Sequence, residues 1–335
     1  MAPSRPGRHA KSLQALGALA GSLAGLFVLR PDSFWFLLNP LGLTAPLFAA
    51  GYVFKCGSLA LIDEACGMWL RAHYGETPMP YRGNAQAKGL ETLEWIDYTF
   101  LAINSVIEFC FAAQVASLVL TSPHMAWAPG DLNVVNTLPA LYLIFAVDDF
   151  FYAPLHRVMH QPWCYAYVHK HHHRQHLPER GYLDAGNEHP IEQVLGLSCL
   201  YVTLELVSRV TGVHALTILV HFLLYAVLAL LNHTAYDVQF KFAGFEYAVR
   251  AHETHHRYPT TNLAQYFMIW DKLMGTYKPY YDGADKLAKR LAAAAVLKEP
   301  DTGGLKEPDT VLRSGEVSLS ENPSDVSLSE KSKVN

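Results

Sequence analysis

The chain has 335 residues, 51% apolar and only 17% charged, a charged share below the ~25% of soluble domains and too low for a disordered polyampholyte. Its net charge of −4 lacks the basic excess of a nucleic-acid binder, so no nucleic-acid partner is expected. The five cysteines (Cys56, Cys66, Cys110, Cys164, Cys199) include no CxxC pair and supply neither a disulfide framework nor a zinc knuckle.

Residues 13–29 are apolar and follow Arg5, Arg8 and Lys11. Alone they read as a signal peptide, but a second apolar block at 34–54 favours a hairpin held in the membrane. Segment 57–74 carries apolar residues at helical spacing. It reads either as an in-plane interfacial helix or as a helix covering a soluble part. Further apolar runs lie at 100–121, 134–154, 193–208 and 213–231, near the ~20 residues that cross a bilayer core. The last two are short, and one of them reads equally as a re-entrant or buried helix. The expected fold class is an all-α membrane protein with about four to six transmembrane or re-entrant helices, arranged as three hairpins, and a cytosolic helical cap.

Loop charge orients it. The N-terminus is basic, segment 55–99 carries Lys55, Arg71, Arg82 and Lys88, loop 122–133 has no Lys or Arg, and 156–180 and 241–290 are rich in both. Six spans place every basic segment on one face, the cytosol. The expected organisation is a cytosolic N-terminus at 1–12, then a membrane hairpin, interfacial segment and third span over 13–132. A histidine-rich domain follows over 133–282 and a polar cytosolic tail over 283–335. The tail repeats LKEPDT (297–302, 305–310) and VSLSE (317–321, 326–330), a composition that buries too little apolar area to order itself. Its last residues, Lys331-Ser332-Lys333-Val334-Asn335, match the dilysine pattern that retrieves cytosolic tails to the endoplasmic reticulum.

Histidine is the outlier: 14 of 17 fall between His156 and His256. They form an HxxxH (His156, His160) and two HxxHH boxes (His169, His172, His173; His252, His255, His256). On a helix, residues three and four apart share a face, so each box aims its imidazoles at one point. Neutral imidazole binds iron, zinc, copper or nickel. Eight rings exceed the three or four of one zinc site, so two metals are expected. His9, His73, His124, His214 and His221 read as ordinary surface or core side chains, and His171 and His176 as the outer face of the second box.

The stretch from Asp148-Asp149 through Tyr152 to His156-Arg157 and His160, followed by His169-Lys170 and His172-His173, resembles the fatty acid hydroxylase superfamily, also called the sterol desaturase family. His189-Pro190-Ile191-Glu192, Asn232-His233, Tyr236-Asp237, the third box, Trp270-Asp271 and Gly275-Thr276-Tyr277 extend the match over about 140–280. The stretch Arg180 to Glu188 departs from the usual sterol C-4 oxidase and C-5 desaturase versions. The resemblance implies a non-haem di-iron, O2-dependent lipid oxidase of the endoplasmic reticulum membrane. Its electrons come from NAD(P)H through a separate cytochrome b5 and its reductase, since no His-Pro-Gly-Gly haem segment is present. The lipid substrate is a sterol first and a fatty acyl or sphingoid chain second, and the reaction is hydroxylation in preference to desaturation.

On that match His233 is a ninth ligand and His189 a tenth. His189 has a rival reading as helix-start geometry with Pro190 at the first position and Glu192 as a capping residue. Metal-bound imidazoles donate their other N–H to a carboxylate or carbonyl. Asp148, Tyr152, His156 and His160 repeat every four residues, which makes Asp148 a candidate partner. Asp149, Glu192 and Asp237 are others, and simple solvation is the rival reading for these acids. Ala140, Tyr142 and Phe145 line a substrate pocket or merely pack.

Two readings from other classes compete. His252-Glu253 to His256 satisfies HExxH, the zincin pattern with Glu253 as general base, although a protease leaves the first two boxes unexplained. A metal-ion transporter places its ligands near the bilayer midplane, whereas here only His221, and His214 at the very start of its run, lie inside an apolar run.

Overall fold

In a computed structural model the described residues are 9–75 and 92–280. The tail repeats, the dilysine pattern, Arg82 and Lys88 lie outside them. Among the described residues the protein is an all-α membrane protein with six helices long and apolar enough to span a bilayer. These are α1 (Ala10–Leu29), α3 (Ala45–Tyr74), α4 (Trp95–Thr121), α5 (Leu138–Met159), α8 (Pro190–Thr211) and α9 (Ala215–Asn232). Short helices join them: α2 (Pro31–Leu38), α6 (Pro162–Tyr165), α7 (Tyr182–Ala185), α10 (Val249–Arg257) and α11 (Met268–Met274).

Local chemistry explains the helix ends. At α4, Glu94 and Asp97 form a reciprocal capping box that satisfies otherwise orphaned N–H groups. Pro190 opens α8, where its missing N–H costs nothing. Gly275 closes α11 at φ 70°, a left-handed turn that glycine adopts without strain.

The structure departs from the sequence reading at three places. Block 34–54 is not one span: Asn39 turns the chain by hydrogen-bonding Leu43 through both its amide groups, separating α2 from α3. Segment 57–74 is neither an in-plane helix nor a cap. It is the second half of the 30-residue α3, which at about 45 Å outruns the bilayer core. Lys55 is therefore not a loop charge. It lies within α3 and meets Glu108 of α4 at 2.5 Å. The fifth and sixth runs become full helices of 22 and 18 residues.

The main core forms where α4, α5, α8 and α9 meet, around Val115, Ile144, Leu200, Leu204 and Ile218. A second core, with Phe145, Leu228, Tyr247 and Tyr266, joins α5 and α9 to an antiparallel ribbon of β3 (Gln239–Phe242) and β4 (Phe245–Ala248). At the opposite end β1 (Met125–Ala126) pairs in parallel with β2 (Val213–His214). Large apolar side chains such as Val53, Phe54, Leu61, Leu219 and Leu223 stay exposed, which suits helices whose outer faces meet lipid tails. The six spans alternate in direction along the chain, with α8 packed on α4 and α5 and α9 on α3 and α5, so the starts of α1, α4 and α8 and the ends of α3, α5 and α9 lie at one end. That end carries the histidines.

Candidate metal centre

The first box occupies the last turn of α5, with His160 as its C-cap. The third box lies on α10. The second does not sit on an α-helix: His169 precedes a 3-10 turn that spans His172–Arg174. His233 caps the C-terminus of α9.

These elements bring nine imidazoles into two groups. His156, His160, His169, His173 and His255 form one, and His172, His233, His252 and His256 the other, with the ligand-capable atoms of each group within 4.8 Å of one another. The groups adjoin: the His173 ring centroid is 5.0 Å from that of His256, and His172 and His173 are 5.7 Å apart.

The outward nitrogens settle which atoms face the centres. Nδ1 of His156 donates to Leu263 O, Nδ1 of His255 to Thr261 O, Nδ1 of His256 to Gln175 O and Nδ1 of His233 to Ala229 O, each at 2.8 Å. A carbonyl only accepts, so in the neutral ring Nε2 is bare and its lone pair points inward. Nδ1 of His169 meets Glu192 Oε1 at 2.6 Å.

Two bare nitrogens cannot hydrogen-bond each other. Nε2 of His252 lies 3.1 Å from Nε2 of His233 and 3.0 Å from Nε2 of His256, and a single proton on His252 serves only one of them. Nε2 of His160 and of His255 are buried without any hydrogen-bond partner. Burial keeps the rings neutral. It pushes His160 down to about 3, and His169, His172, His173, His252, His255 and His256 well below the usual histidine value, with neighbouring imidazoles adding to the effect. Buried, neutral, inward lone pairs are the donor set of a transition-metal cation, and the residues fit one ion in each group.

Several expected residues lie elsewhere. His189 joins neither group: its Nδ1 accepts from Ile191 N at 3.1 Å and its Nε2 donates to Ser12 O at 3.0 Å, so His189 itself caps α8, while Glu192 meets His169. Asp149 accepts three backbone N–H bonds, from Gln265, Tyr266 and Phe267 at 2.6–2.9 Å, and anchors that loop instead of an imidazole. Asp237 pairs with Arg250 at 2.6 Å. Asp148 bonds no histidine. Tyr152 packs its ring on His156, with centroids 5.1 Å apart, and hydrogen-bonds Gln265. Of the expected acids, Glu192 alone hydrogen-bonds a ring of either group. Tyr142 reaches Ala243 O at 2.5 Å, while Ala140 and Phe145 are core residues.

His171 is not on an outer face. It is buried against Asp97 at 3.0 Å and Asn187 at 2.9 Å, and Asp97 also binds Arg174 at 2.8 Å. Asp97 thus clamps the second box, a role visible in the sequence only as the Glu94-to-Asp97 capping spacing. Glu253 of the HExxH pattern is buried and pairs with Arg257, and His252 and His256 share their group with two histidines from other segments.

Residues 141–276 match the family model described as fatty acid hydroxylase, and that stretch holds all nine clustered histidines. Over that stretch the chain is similar to the fatty acid hydroxylase family. Several similar proteins are sterol-named. Methylsterol monooxygenase erg25A of Aspergillus fumigatus is 30% identical over 175 residues, 50% of this chain and 57% of that protein. A cholesterol 25-hydroxylase-like protein of Danio rerio is 31% identical over 159 residues, 46% of this chain and 60% of that protein. C-4 methylsterol oxidase erg25 of Schizosaccharomyces pombe is 29% identical over 164 residues, 48% of this chain and 53% of that protein. The chain thus spans little more than half the length of these relatives. No solved structure matches it.

Proposed function

We propose that this protein is a membrane lipid oxygenase whose nine clustered histidines hold two irons, and that it inserts oxygen from O2 into a C–H bond of a sterol or, second, of a fatty acyl or sphingoid chain. The observation that carries the reading is the two adjoining imidazole groups, five and four strong, with their outward nitrogens tied to backbone carbonyls and to Glu192. The sterol-named relatives support the substrate class.

Bound there, iron supplies the one-electron and oxygen chemistry that side chains lack. The protein's own part is positional. Leu263, Thr261, Gln175 and Ala229 fix ring orientation through their carbonyls, and Glu192 raises the basicity of His169. Burial excludes water from both groups. An apolar groove of about 460 Å³ between α3 and α9, lined by Cys66, Trp69, Leu224, Leu228, Leu231 and Phe240, ends two residues before His233. It gives a lipid tail an apolar surface beside the second group.

Hydroxylation is the preferred outcome, with desaturation as the sister reaction. The histidine end faces the cytosol of the endoplasmic reticulum membrane on the charge pattern: Arg71, Arg157, Lys170, Arg174, Arg250 and Arg257 gather there. NAD(P)H-derived electrons arrive through cytochrome b5 or a similar donor docking on that face. A protease reading is disfavoured by the Glu253–Arg257 pair.

The test is lipid mass spectrometry of cells with and without the gene under labelled O2. A gene-dependent product carrying labelled oxygen supports hydroxylation. A loss of two hydrogens indicates desaturation, and no lipid change rejects both.

A further inference from the structure

Asp148 and Asp149 are adjacent, both buried within α5, yet they are treated oppositely. Asp149 accepts three backbone N–H groups. Asp148 is 5% exposed and its Oδ1 has no hydrogen-bond partner. Phe145 lies three residues earlier on the same helical face, and two further unpartnered polar side chains pack on its ring. His221 of α9 lies 4.6 Å away and Tyr266 lies 5.0 Å away between ring centroids. Both are fully buried, and neither nitrogen of His221 nor the hydroxyl of Tyr266 has a partner. Tyr266 is in place because Asp149 grips its backbone N–H at 2.7 Å.

Buried polar groups are almost always paired, and a carboxyl among membrane helices marks function by default. Three buried side chains with unpartnered polar atoms, beside Phe145 in the core it shares with Leu228, Leu231 and Tyr247 and with the Tyr225 ring centroid within 6.2 Å of those of both His221 and Tyr266, are a polar point in an otherwise apolar interior. We infer that Asp148, Tyr266 and His221 bind the hydroxyl group of a lipid alcohol whose apolar body extends along α5 toward the histidines. A hydroxyl both donates and accepts, so it pairs with the Asp148 carboxyl in either protonation state and with a phenol or imidazole. Eight residues separate Asp148 from His156, about 12 Å along the helix. The carbon presented to the metal centre is therefore remote from the hydroxyl, not adjacent to it.

The inference rests on the lipid-oxygenase reading for its ligand class, but binding tests it without turnover. Radiolabelled cholesterol and its 3-deoxy hydrocarbon are titrated against the full chain in nanodiscs, with metal content measured on the same samples. The expected result is binding of the alcohol about ten-fold or more tightly than the hydrocarbon, the worth of a hydrogen bond to a charged or strongly polar group. Asp148→Ala and Tyr266→Phe each bring the two ligands to within about three-fold, with metal content unchanged. Tyr266→Phe removes only a hydroxyl that bonds nothing in the protein, so it keeps the test open if Asp148→Ala fails to fold. Equal binding of alcohol and hydrocarbon by the unaltered chain overturns the inference, and so does an undiminished preference in Tyr266→Phe. An alcohol preference without any oxygenated product overturns the oxygenase reading and leaves this site standing. Oxygenated product without an alcohol preference does the reverse.

Discussion

His156 and His169 face each other Nε2 to Nε2 at 3.0 Å, while their opposite nitrogens are held by Leu263 O and by Glu192. The pair comes from different segments, and its outer partners lie 107 and 23 residues away in sequence. Two long-range contacts thus turn two ring nitrogens toward each other, an arrangement that suits a cation between or beside them, because unpaired buried acceptors are costly.

Replacing His255 or His172 with Ala removes one inward donor from a group of five or of four. Metal bound at the altered group falls by at least about ten-fold in affinity, lipid oxidation is lost, and the protein still fractionates with membranes. Metal analysis of the purified variants checks this; full metal content and activity in either variant remove that residue from the ligand set.

Glu192→Ala leaves Nδ1 of His169 without its acceptor. Outer partners of this kind are worth roughly 10–100-fold in metal affinity. Glu192→Gln keeps an acceptor oxygen and loses less. A competition titration with a chelator ranks the three proteins, and identical affinities contradict the assignment.

Glu253→Gln separates the enzyme classes. A zincin loses its general base and its activity. Here Glu253 serves Arg257, and Gln keeps an oxygen that can accept from that guanidinium, so lipid oxidation persists, and product yield against the unaltered protein is the readout.

Glu188, just before α8, is pushed up to about 8 by burial, with the nearby Glu108 carboxyl acting in the same direction. A carboxyl raised in the folded state stabilises the fold at low pH and loses that contribution as pH climbs from its unfolded value, near 4.3, through about 8. Glu188→Gln cannot ionise. Its thermal midpoint in detergent should therefore gain on the unaltered protein as pH rises across that window and show the smallest gain at pH 5. A gap independent of pH rejects the shift.

Much of the centre is legible before any coordinates. His156 and His160 follow helical spacing, and α5 presents both to one group, whereas α10 sends His252 and His256 to one group and His255 to the other, so the third box does not aim at a single point. Five of the six apolar runs also survive as single helices, because lipid contact tolerates little but helix, whereas block 34–54 breaks at Asn39. What escapes the sequence depends on distant chain. The acceptors of the outward nitrogens are mostly backbone carbonyls, which no residue type advertises. Asp148 and Asp149 are indistinguishable as letters, and only the loop at 265–267 makes one an anchor and the other an orphan. His189 fits a ligand by motif and a cap by its Pro190 neighbour, and the approach of Ser12 from α1 decides it.

The central claim is that two transition-metal ions share nine imidazoles. Quantifying metal on the purified full chain, with amino-acid analysis for protein, tests it most directly. The expected result is two irons per chain, falling together with activity on chelation and returning on addition of ferrous iron. One zinc per chain, or no bound metal with oxidation intact, contradicts it.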